Sequence, residues 1–236
     1  MGRIFTVLCS SCLATLAIGA EGMAANNLRL SVGVARGFDI PQEELDKTTN
    51  SLMEEFDIAV GAYETNAATT LEVPMLFELP AQGRFRFLAG PAAFYSRNTN
   101  DIHLFATDLL GPDSLTANGS DTITVVGLKL YGGGRYMVQD QFALEFLPYL
   151  GYGRTRVQSE GSIRGELGGI SIDENMRETY SGNALLYGAT MGAYYLSPSG
   201  FQIGSRLGYA GGTSTVDDVK YTQNGASLSL DVGWGW

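Results

Sequence analysis

Residues 226–236, at the end of the chain, alternate strictly between apolar and small or polar side chains. The even-numbered positions are apolar and finish with Trp234 and Trp236, whereas the odd-numbered positions carry only Ser, Gly or Asp. Because successive side chains of a β-strand point to opposite faces, one face of this strand is entirely apolar. A transmembrane β-strand needs about 9–11 residues, with aromatic side chains at the membrane interface. The segment therefore predicts a membrane-spanning strand with its apolar face toward lipid and its Ser/Gly face toward a crowded barrel interior.

The same alternation recurs along the chain, at residues 28–34, 56–62, 71–79, 85–95, 126–138, 142–152, 185–195 and 201–209. The connections alternate in length. Tight turns are expected at residues 79–84, 138–141 and 197–200, and long polar stretches lie at residues 97–121, 157–182 and 211–225. Short turns on one side and long loops on the other are typical of outer-membrane barrels, whose long loops face the outside of the cell.

The number of strands needs an interpretation, because a single-chain bacterial barrel has an even number of them. With the terminal strand there are nine alternating segments. We interpret residues 28–38 as the first strand and residues 71–79 as the second. Residues 56–64 then form an outer extension of the second strand, interrupted near residues 66–70. The prediction is an all-β, antiparallel, up-and-down transmembrane β-barrel of eight strands, with ten strands as the alternative.

The polar faces of these strands carry charges of both signs. Six are basic and four are acidic: Arg29, Arg84, Arg86, Lys129, Arg135 and Arg206 face Glu72, Glu78, Glu145 and Asp231 across the expected lumen. Eight strands leave an interior just wide enough for side chains to fill, where opposite charges would satisfy one another. The pattern favours structural filling of a small barrel, and a narrow conduction path is the alternative.

The first 24 residues have the features of a cleaved signal peptide. A short cationic start precedes an apolar stretch, and Gly22 and Ala24 supply small residues before the expected cleavage site. Residues 25–236 then form one outer-membrane barrel domain. Cys9 and Cys12 are the two cysteines of the chain, so the mature protein would have no disulfide, thiolate metal site or cysteine nucleophile. The net charge of −10 argues against a nucleic-acid partner.

Short motifs carry a family resemblance. Residues 71–74 (Leu-Glu-Val-Pro), followed after a tight turn by residues 88–91 (Leu-Ala-Gly-Pro), resemble paired strands of the bacterial outer membrane protein beta-barrel domain families. Residues 132–136 (Gly-Gly-Gly-Arg-Tyr) and the terminal Trp236 are similar to small barrels of the OmpA and OmpX class. The resemblance implies a fold, a membrane, and assembly by the outer-membrane insertion machinery through the C-terminal strand. It carries over no catalytic residue.

His103, the only histidine, is the one candidate for a catalytic group. It lies in an expected long loop with Asp101, Asp108 and Ser96 nearby in sequence, and a histidine so placed could act as a general base in an outer-membrane hydrolase. The arrangement matches no known motif, and a solvated loop histidine is the favoured interpretation.

Two further patterns bear on ligand binding. Carboxylates on loops can bind Ca²⁺, and small acidic clusters occur at Glu43, Glu44 and Asp46, at Asp113 and Asp121, at Asp173 and Glu174, and at Asp217 and Asp218. None has the spacing of a calcium loop, so solvated acidic loops are favoured. Residues 132–134 lie inside a strand and lack the helix and the Lys-Ser/Thr of a phosphate loop, so we predict a bulge or bend there.

The sequence therefore predicts an integral outer-membrane protein of a Gram-negative bacterium. Its expected role is non-enzymatic, either structural or in surface interaction through long acidic extracellular loops. A narrow porin-like channel is the alternative, and a hydrolase using His103 is less favoured. No catalytic, cofactor-binding or metal-binding residue is assigned. The expected partners are the lipid bilayer, lipopolysaccharide, the insertion machinery and an unidentified extracellular ligand.

Overall fold

The computed structural model describes residues 25–40, 42–79, 83–109, 111, 113–217 and 219–236. The predicted signal peptide, residues 1–24, lies outside the described residues. The elements in chain order are β1 (Ala25–Ala35), α1 (Gln42–Met53), β2 (Ile58–Thr65), β3 (Ala68–Leu79), β4 (Phe85–Thr107), β5 (Ser114–Gln139), β6 (Phe142–Leu167), β7 (Ile170–Leu196), β8 (Phe201–Val216) and β9 (Val219–Gly235). Within these ranges no helix is long and apolar enough to cross a membrane.

The strands form a closed antiparallel ring. Their order is β4-β3-β1-β9-β8-β7-β6-β5, and pairing between β4 and β5 closes it. β2 lies outside the ring, because within the described part of the chain it pairs only with β4. Eight strands therefore complete the barrel, which confirms the predicted number and fold class. The two ends of the chain meet at one rim, where the Asn26 amide donates to the Trp236 carbonyl at 2.8 Å.

β2 and β3 both pair with β4, along different parts of its length. β3 pairs with the part of β4 up to Arg97, and β2 pairs with the remainder, from Asn100 to Thr107. Residues 66–67 separate the two strands. β2 is thus the predicted outer extension of the second strand. The first strand is shorter than predicted, because β1 ends at Ala35 and the following segment turns into the barrel, where Phe38 is buried.

The outer surface of the ring is an apolar band. Each strand presents its predicted apolar face outward, as shown by Leu130, Leu150 and Leu230, which are 59%, 66% and 67% exposed. About eleven residues at 3.3 Å each, tilted by about 45°, span roughly the 25 Å height of such bands. Aromatic pairs mark the rim near the chain ends, where Phe142 contacts Tyr195 at 5.5 Å between ring centroids and Phe201 contacts Trp234 at 5.9 Å.

Above the band, the polar stretches predicted as long loops are mostly β-hairpins. β4 and β5 continue to a tip at residues 108–113, and β6 and β7 continue to a tip at residues 168–169. Gly168 and Gly169 both have positive φ, as a two-residue hairpin turn requires. These hairpins were predicted as loops for a physical reason. Outside the bilayer a strand can be polar on both faces, so its sequence loses the alternation that identifies a strand.

These extensions form a raised sheet on one side of the barrel. We call it the outer sheet: residues 58–65, 98–107, 114–124, 157–167 and 170–182. The β8–β9 hairpin is shorter, and β8 pairs with β7 only from Asn183 downward. Helix α1, which was not predicted, covers one end of the inner face of the outer sheet, where Leu52 packs against Phe56 and Ala59. A proline followed by Gln-Glu-Glu at residues 41–44 was the available signal for a helix start.

Of the bulge or bend predicted at residues 132–134, the bulge is contradicted by the structure. β5 keeps one register with β4 across these glycines, and its register with β6 shifts only between Met137 and Gln139. The glycines instead permit close approach. A Cβ on Gly134 would lie 2.3 Å from the ring of Phe85, and one on Gly133 would lie 2.0 Å from the Phe146 carbonyl oxygen.

We expect Leu130→Arg to destabilise the folded barrel by about 2–4 kcal/mol, because it places a charge near the middle of the lipid-facing band. Ser120→Arg, on the same strand and face but in the outer sheet, is the matched control. Its neighbours across the ladder are Asp101 and Glu160, so it should leave stability almost unchanged. Urea unfolding in lipid vesicles measures both, and equal stability of the two variants would contradict the position of the band.

Candidate functional site

The barrel interior contains a layer of ion pairs near the chain-end rim. Arg29 donates to both carboxylate oxygens of Glu145, at 2.6 and 2.7 Å. Arg135 lies between two acids, donating to Glu145 at 2.8 Å and to Glu78 at 3.1 Å. Arg86, whose side chain is partly exposed at the chain-end rim, also pairs with Glu78. Adjacent strands point these side chains inward at one height, so that each carboxylate serves two guanidinium groups.

A second polar layer lies farther inside. Glu72 pairs with Lys129 and accepts a hydrogen bond from the Tyr131 hydroxyl at 2.7 Å. Arg206 donates to Asp231 and, at 2.6 Å, to the Ser31 hydroxyl. Aromatic rings also face cations of both layers. The Lys129 ammonium lies 4.6 Å from the centre of the Tyr149 ring, and the Arg29 guanidinium lies 4.4 Å from that of Tyr194.

The predicted charges are therefore brought together inside the barrel, with one exception. Each of the four acids is buried, as are four of the six bases: Arg29, Lys129, Arg135 and Arg206. Arg86 is half-exposed, with 45% of its side chain accessible, and still pairs with Glu78. Arg84 lies at the turn before β4, where it is exposed and donates to the Val138 carbonyl at 3.3 Å. Four buried cations against four buried carboxylates leave this part of the lumen electrically balanced.

A third layer closes the outer mouth, and sequence analysis did not find it. Phe38 is completely buried there among apolar side chains of the ring, including Val157 and Val216. Asn98 and Asn100 hold it in place, because both side-chain amides donate to the Phe38 carbonyl, at 3.2 and 2.8 Å. The inward position of the two asparagines could have been predicted from their even residue numbers, because the even-numbered residues of β4 face the barrel interior. Nothing local indicated that Phe38 would return into the lumen.

Little space remains between these layers. A cavity of about 40 Å³ lies above the Glu72–Lys129 pair, lined also by Thr190, Ser229 and Arg206. A water molecule needs about 10–15 Å³ of such space, so the cavity accommodates about three waters. Along the described residues, the lumen is filled by paired charges below this cavity and by the Phe38 layer above it.

Asp121 is a buried acid outside the apolar band. It lies on the inner face of β5 and accepts a hydrogen bond from the Ser159 hydroxyl at 2.6 Å. Burial raises the pKa of the Asp121 carboxyl, because its charged form loses water without gaining a cation; the Ser159 hydrogen bond opposes this only in part. Asp113, its predicted cluster partner, lies eight residues away at the hairpin tip, where it accepts from the Gly168 amide at 2.9 Å.

The candidate catalytic group around His103 is not assembled. His103 lies on the outward face of β4, and its Nδ1 is 2.8 Å from the Asn118 side-chain oxygen. Ser96 faces the barrel interior and is buried, whereas Asp108 lies at the hairpin tip. Asp101 shares the outward face with His103 but occupies the next row of the ladder. The structure therefore offers no nucleophile–histidine–acid geometry at this position.

The acidic clusters do not converge on an ion either. Asp173 and Glu174 are consecutive in β7 and point to opposite faces of the outer sheet. Glu43 and Glu44 fall in α1, and Asp218 lies outside the described residues. Within the described part of the chain, no group of three or more His, Cys, Asp or Glu side chains could hold a metal ion.

The free edge of the outer sheet is the most distinctive surface feature. Leu167 and Ile170 flank the two-residue turn, so they exchange both backbone hydrogen bonds, and bonded pairs then recur at every second residue. Even-numbered residues of β7 therefore bond to β6, and the backbone groups of odd-numbered residues 171–181 point away from it. Among the described residues, nothing pairs with that edge above Asn183.

Comparison with known proteins gives likenesses in architecture. The chain is similar to Ail, the attachment invasion locus protein of Yersinia pestis, with 13% identity, a TM-score of 0.39, and coverage of 90% of this chain and 98% of that one. It is also similar to Neisserial surface protein A, with 13% identity, a TM-score of 0.29, and coverage of 90% and 97%. The translocator domain of the autotransporter NalP from Neisseria meningitidis matches at 10% identity and a TM-score of 0.20, covering 99% and 96%.

No protein-family model matches the chain, and no curated protein matches it. The described residues form a closed antiparallel ring of eight strands with an apolar band outside and paired charges inside. This is the architecture of the small outer-membrane barrels of the OmpA and OmpX type, as the sequence resemblance predicted.

We expect Glu145→Gln to destabilise the barrel by about 3–5 kcal/mol, because Arg29 would then remain buried without a carboxylate and Arg135 would keep only Glu78. Glu160→Gln is the control, since Glu160 pairs with Arg177 at 3.1 Å on the exposed face. Removing that pair should cost at most about 1 kcal/mol. Chemical unfolding of both variants in the same detergent provides the test, and a small cost at Glu145 would show that the inner layer does not need its charges.

Proposed function

We propose that the protein is an integral outer-membrane barrel that presents the outer sheet at the cell surface for interaction with other proteins, without enzymatic activity. Both ends of a bacterial barrel chain lie on the periplasmic side, so the outer sheet extends away from the cell. The observation that carries the proposal is the unpaired edge of β7. An unpaired edge of this kind can bind a partner by the addition of a further strand to the sheet.

The edge has no break in its backbone pairing geometry, although it does carry charged side chains, which also limit strand pairing, at Asp173, Glu174, Arg177 and Glu178. Exposed edges are usually interrupted by Pro, Lys or a bulge, or are very short. β7 has no Pro or Lys, and it pairs with β6 in one unbroken register along its whole length. Residues 171–181 therefore offer a regular series of backbone donors and acceptors above the membrane. Strand addition at such an edge derives affinity from main-chain hydrogen bonds and specificity from alternate side chains.

The inward face of this edge defines the side chains that a partner would need. Tyr180 packs against the buried cluster around Phe38, so the even-numbered residues of β7 face inward. Ile172 and Met176 alternate there with Glu174 and Glu178. A partner strand whose residues alternate between apolar and basic on one face would match this row, because opposite apolar and opposite charged pairs stabilise neighbouring strands. The net charge of −10 also favours a basic partner.

The test uses the synthetic peptide Thr-Lys-Thr-Ile-Thr-Lys-Thr-Ile-Thr, which places Lys opposite both glutamates in antiparallel pairing. We expect it to bind the purified barrel, and Asn175→Pro to weaken binding by about tenfold through loss of an outward N–H. Asn175→Thr keeps that N–H and should bind like the wild type. Fluorescence anisotropy measures binding, and unheated gel mobility verifies that each barrel is folded. Absence of binding to the wild type, or equal binding by both variants, would contradict strand addition.

A narrow channel is the second candidate function, and the filled lumen disfavours it. The Arg29–Glu145 pair has side chains only 1% exposed, and Phe38 closes the opposite end of the lumen. We expect the purified protein to give no steady conductance in a planar bilayer, while a general porin under the same conditions gives stepwise currents. Reproducible single-channel steps from this protein would favour the porin-like function instead.

A further inference from the structure

Three arginines form a compact group on the outward face of the barrel wall. Arg97 of β4 and Arg156 of β6 lie on either side of Thr124 in one row of the ladder. Arg154 lies in the row below, next to Val126. Neighbouring strands are about 4.8 Å apart and alternate residues about 7 Å apart, so the three Cα atoms lie within about 12 Å. We call this group the arginine collar.

The collar lies at the upper limit of the apolar band. Tyr95 and Tyr152 immediately precede its members on the same face, and both are outward-facing side chains of the band. The rows above the collar change to Thr99, Thr122 and Gln158, which are polar and uncharged. The collar therefore lies at the height where lipid headgroups meet the barrel, at the foot of the outer sheet.

Among the described residues, the collar has no acidic partners. All three side chains are exposed, and in the described structure none of them makes a side-chain hydrogen bond or an ion pair. The first carboxylates on this face, Asp101 and Glu160, lie two rows above Arg97 and Arg156.

Higher on the same face, arginines do have partners. Arg164 pairs with Asp173 at 3.3 Å, and Arg177 pairs with Glu160 at 3.1 Å. Among the described residues of this wall, the arginines without an acidic partner thus lie in the rows next to the membrane, in a chain whose net charge is −10. This contrast indicates an anionic partner at that height.

We propose that the arginine collar binds the phosphate groups of lipopolysaccharide in the outer leaflet. This inference rests on the proposed function for the orientation of the barrel. A guanidinium group presents its donors as a planar fork that matches a phosphate bidentately, and the low polarity beside the band strengthens the attraction. Three such groups within reach of one another can contact more than one phosphate of a single lipid headgroup.

The experiment compares two double variants of the full chain with equal changes in charge, in detergent micelles. Arg97→Gln with Arg156→Gln removes two members of the collar, and Arg164→Gln with Arg177→Gln removes two paired arginines from the same face. Titration with purified lipopolysaccharide is followed by the rise in thermal unfolding temperature. We expect about tenfold weaker binding for the collar variant and wild-type binding for the control.

Two further probes identify what is bound. Enzymatically dephosphorylated lipopolysaccharide should bind the wild type about as weakly as the intact lipid binds the collar variant. Phosphatidylglycerol vesicles test the alternative source of phosphate. Equal binding of phosphatidylglycerol, of the dephosphorylated lipid or of the collar variant would overturn the proposal. Failure of the barrel to insert into membranes at all, seen as a missing heat-dependent gel shift, would instead overturn the proposed function.

Discussion

Closure of the backbone hydrogen-bond network is the constraint on which the rest of the structure depends. Lipid offers no partner for a backbone N–H or C=O group, so strands can cross it only in a ring without edges. Pairing of β4 with β5 completes that ring. Once it is closed, each strand has one face toward lipid and one toward the lumen, and this separation decides where every charged side chain of the membrane-spanning region can lie.

The lumen shows the consequence for charge. A buried ion is costly unless it is paired and fully hydrogen-bonded. Here Glu72, Glu78 and Glu145 are each shared between two cations from different strands, and Asp231 pairs with Arg206. Glu145 receives Arg29 from β1 and Arg135 from β5. Because these contacts join strands that are distant in the chain, they also fix the relative register of the ring. The charges that fill the lumen therefore contribute to closure and exclude a wide pore at the same time.

The sequence predicted the membrane-spanning region well and the outer region poorly, for one physical reason. Within the band, lipid on one side and charge on the other impose a period of two, so residues such as Leu130 and Lys129 are assigned to faces by parity. Above the band, water contacts either face, and Thr122 and Thr124 carry no such signal. The return of Phe38 into the lumen depends on tertiary packing alone. The arginine collar could not be predicted from the sequence for a related reason. Its three arginines become neighbours only through the register in which β4, β5 and β6 pair.

The unequal heights of the hairpins connect the two surface features. β8 ends at Val216, so β7 loses one neighbour above Asn183 while β6 still supports it, and an open edge results. The wall that continues upward is the one whose foot carries Arg97 and Arg156. A sheet raised on one side of a barrel is held upright only by its own ladder and by contacts at its base. Contacts between the collar and headgroup phosphates would therefore constrain the tilt of the wall and the height at which its free edge is presented.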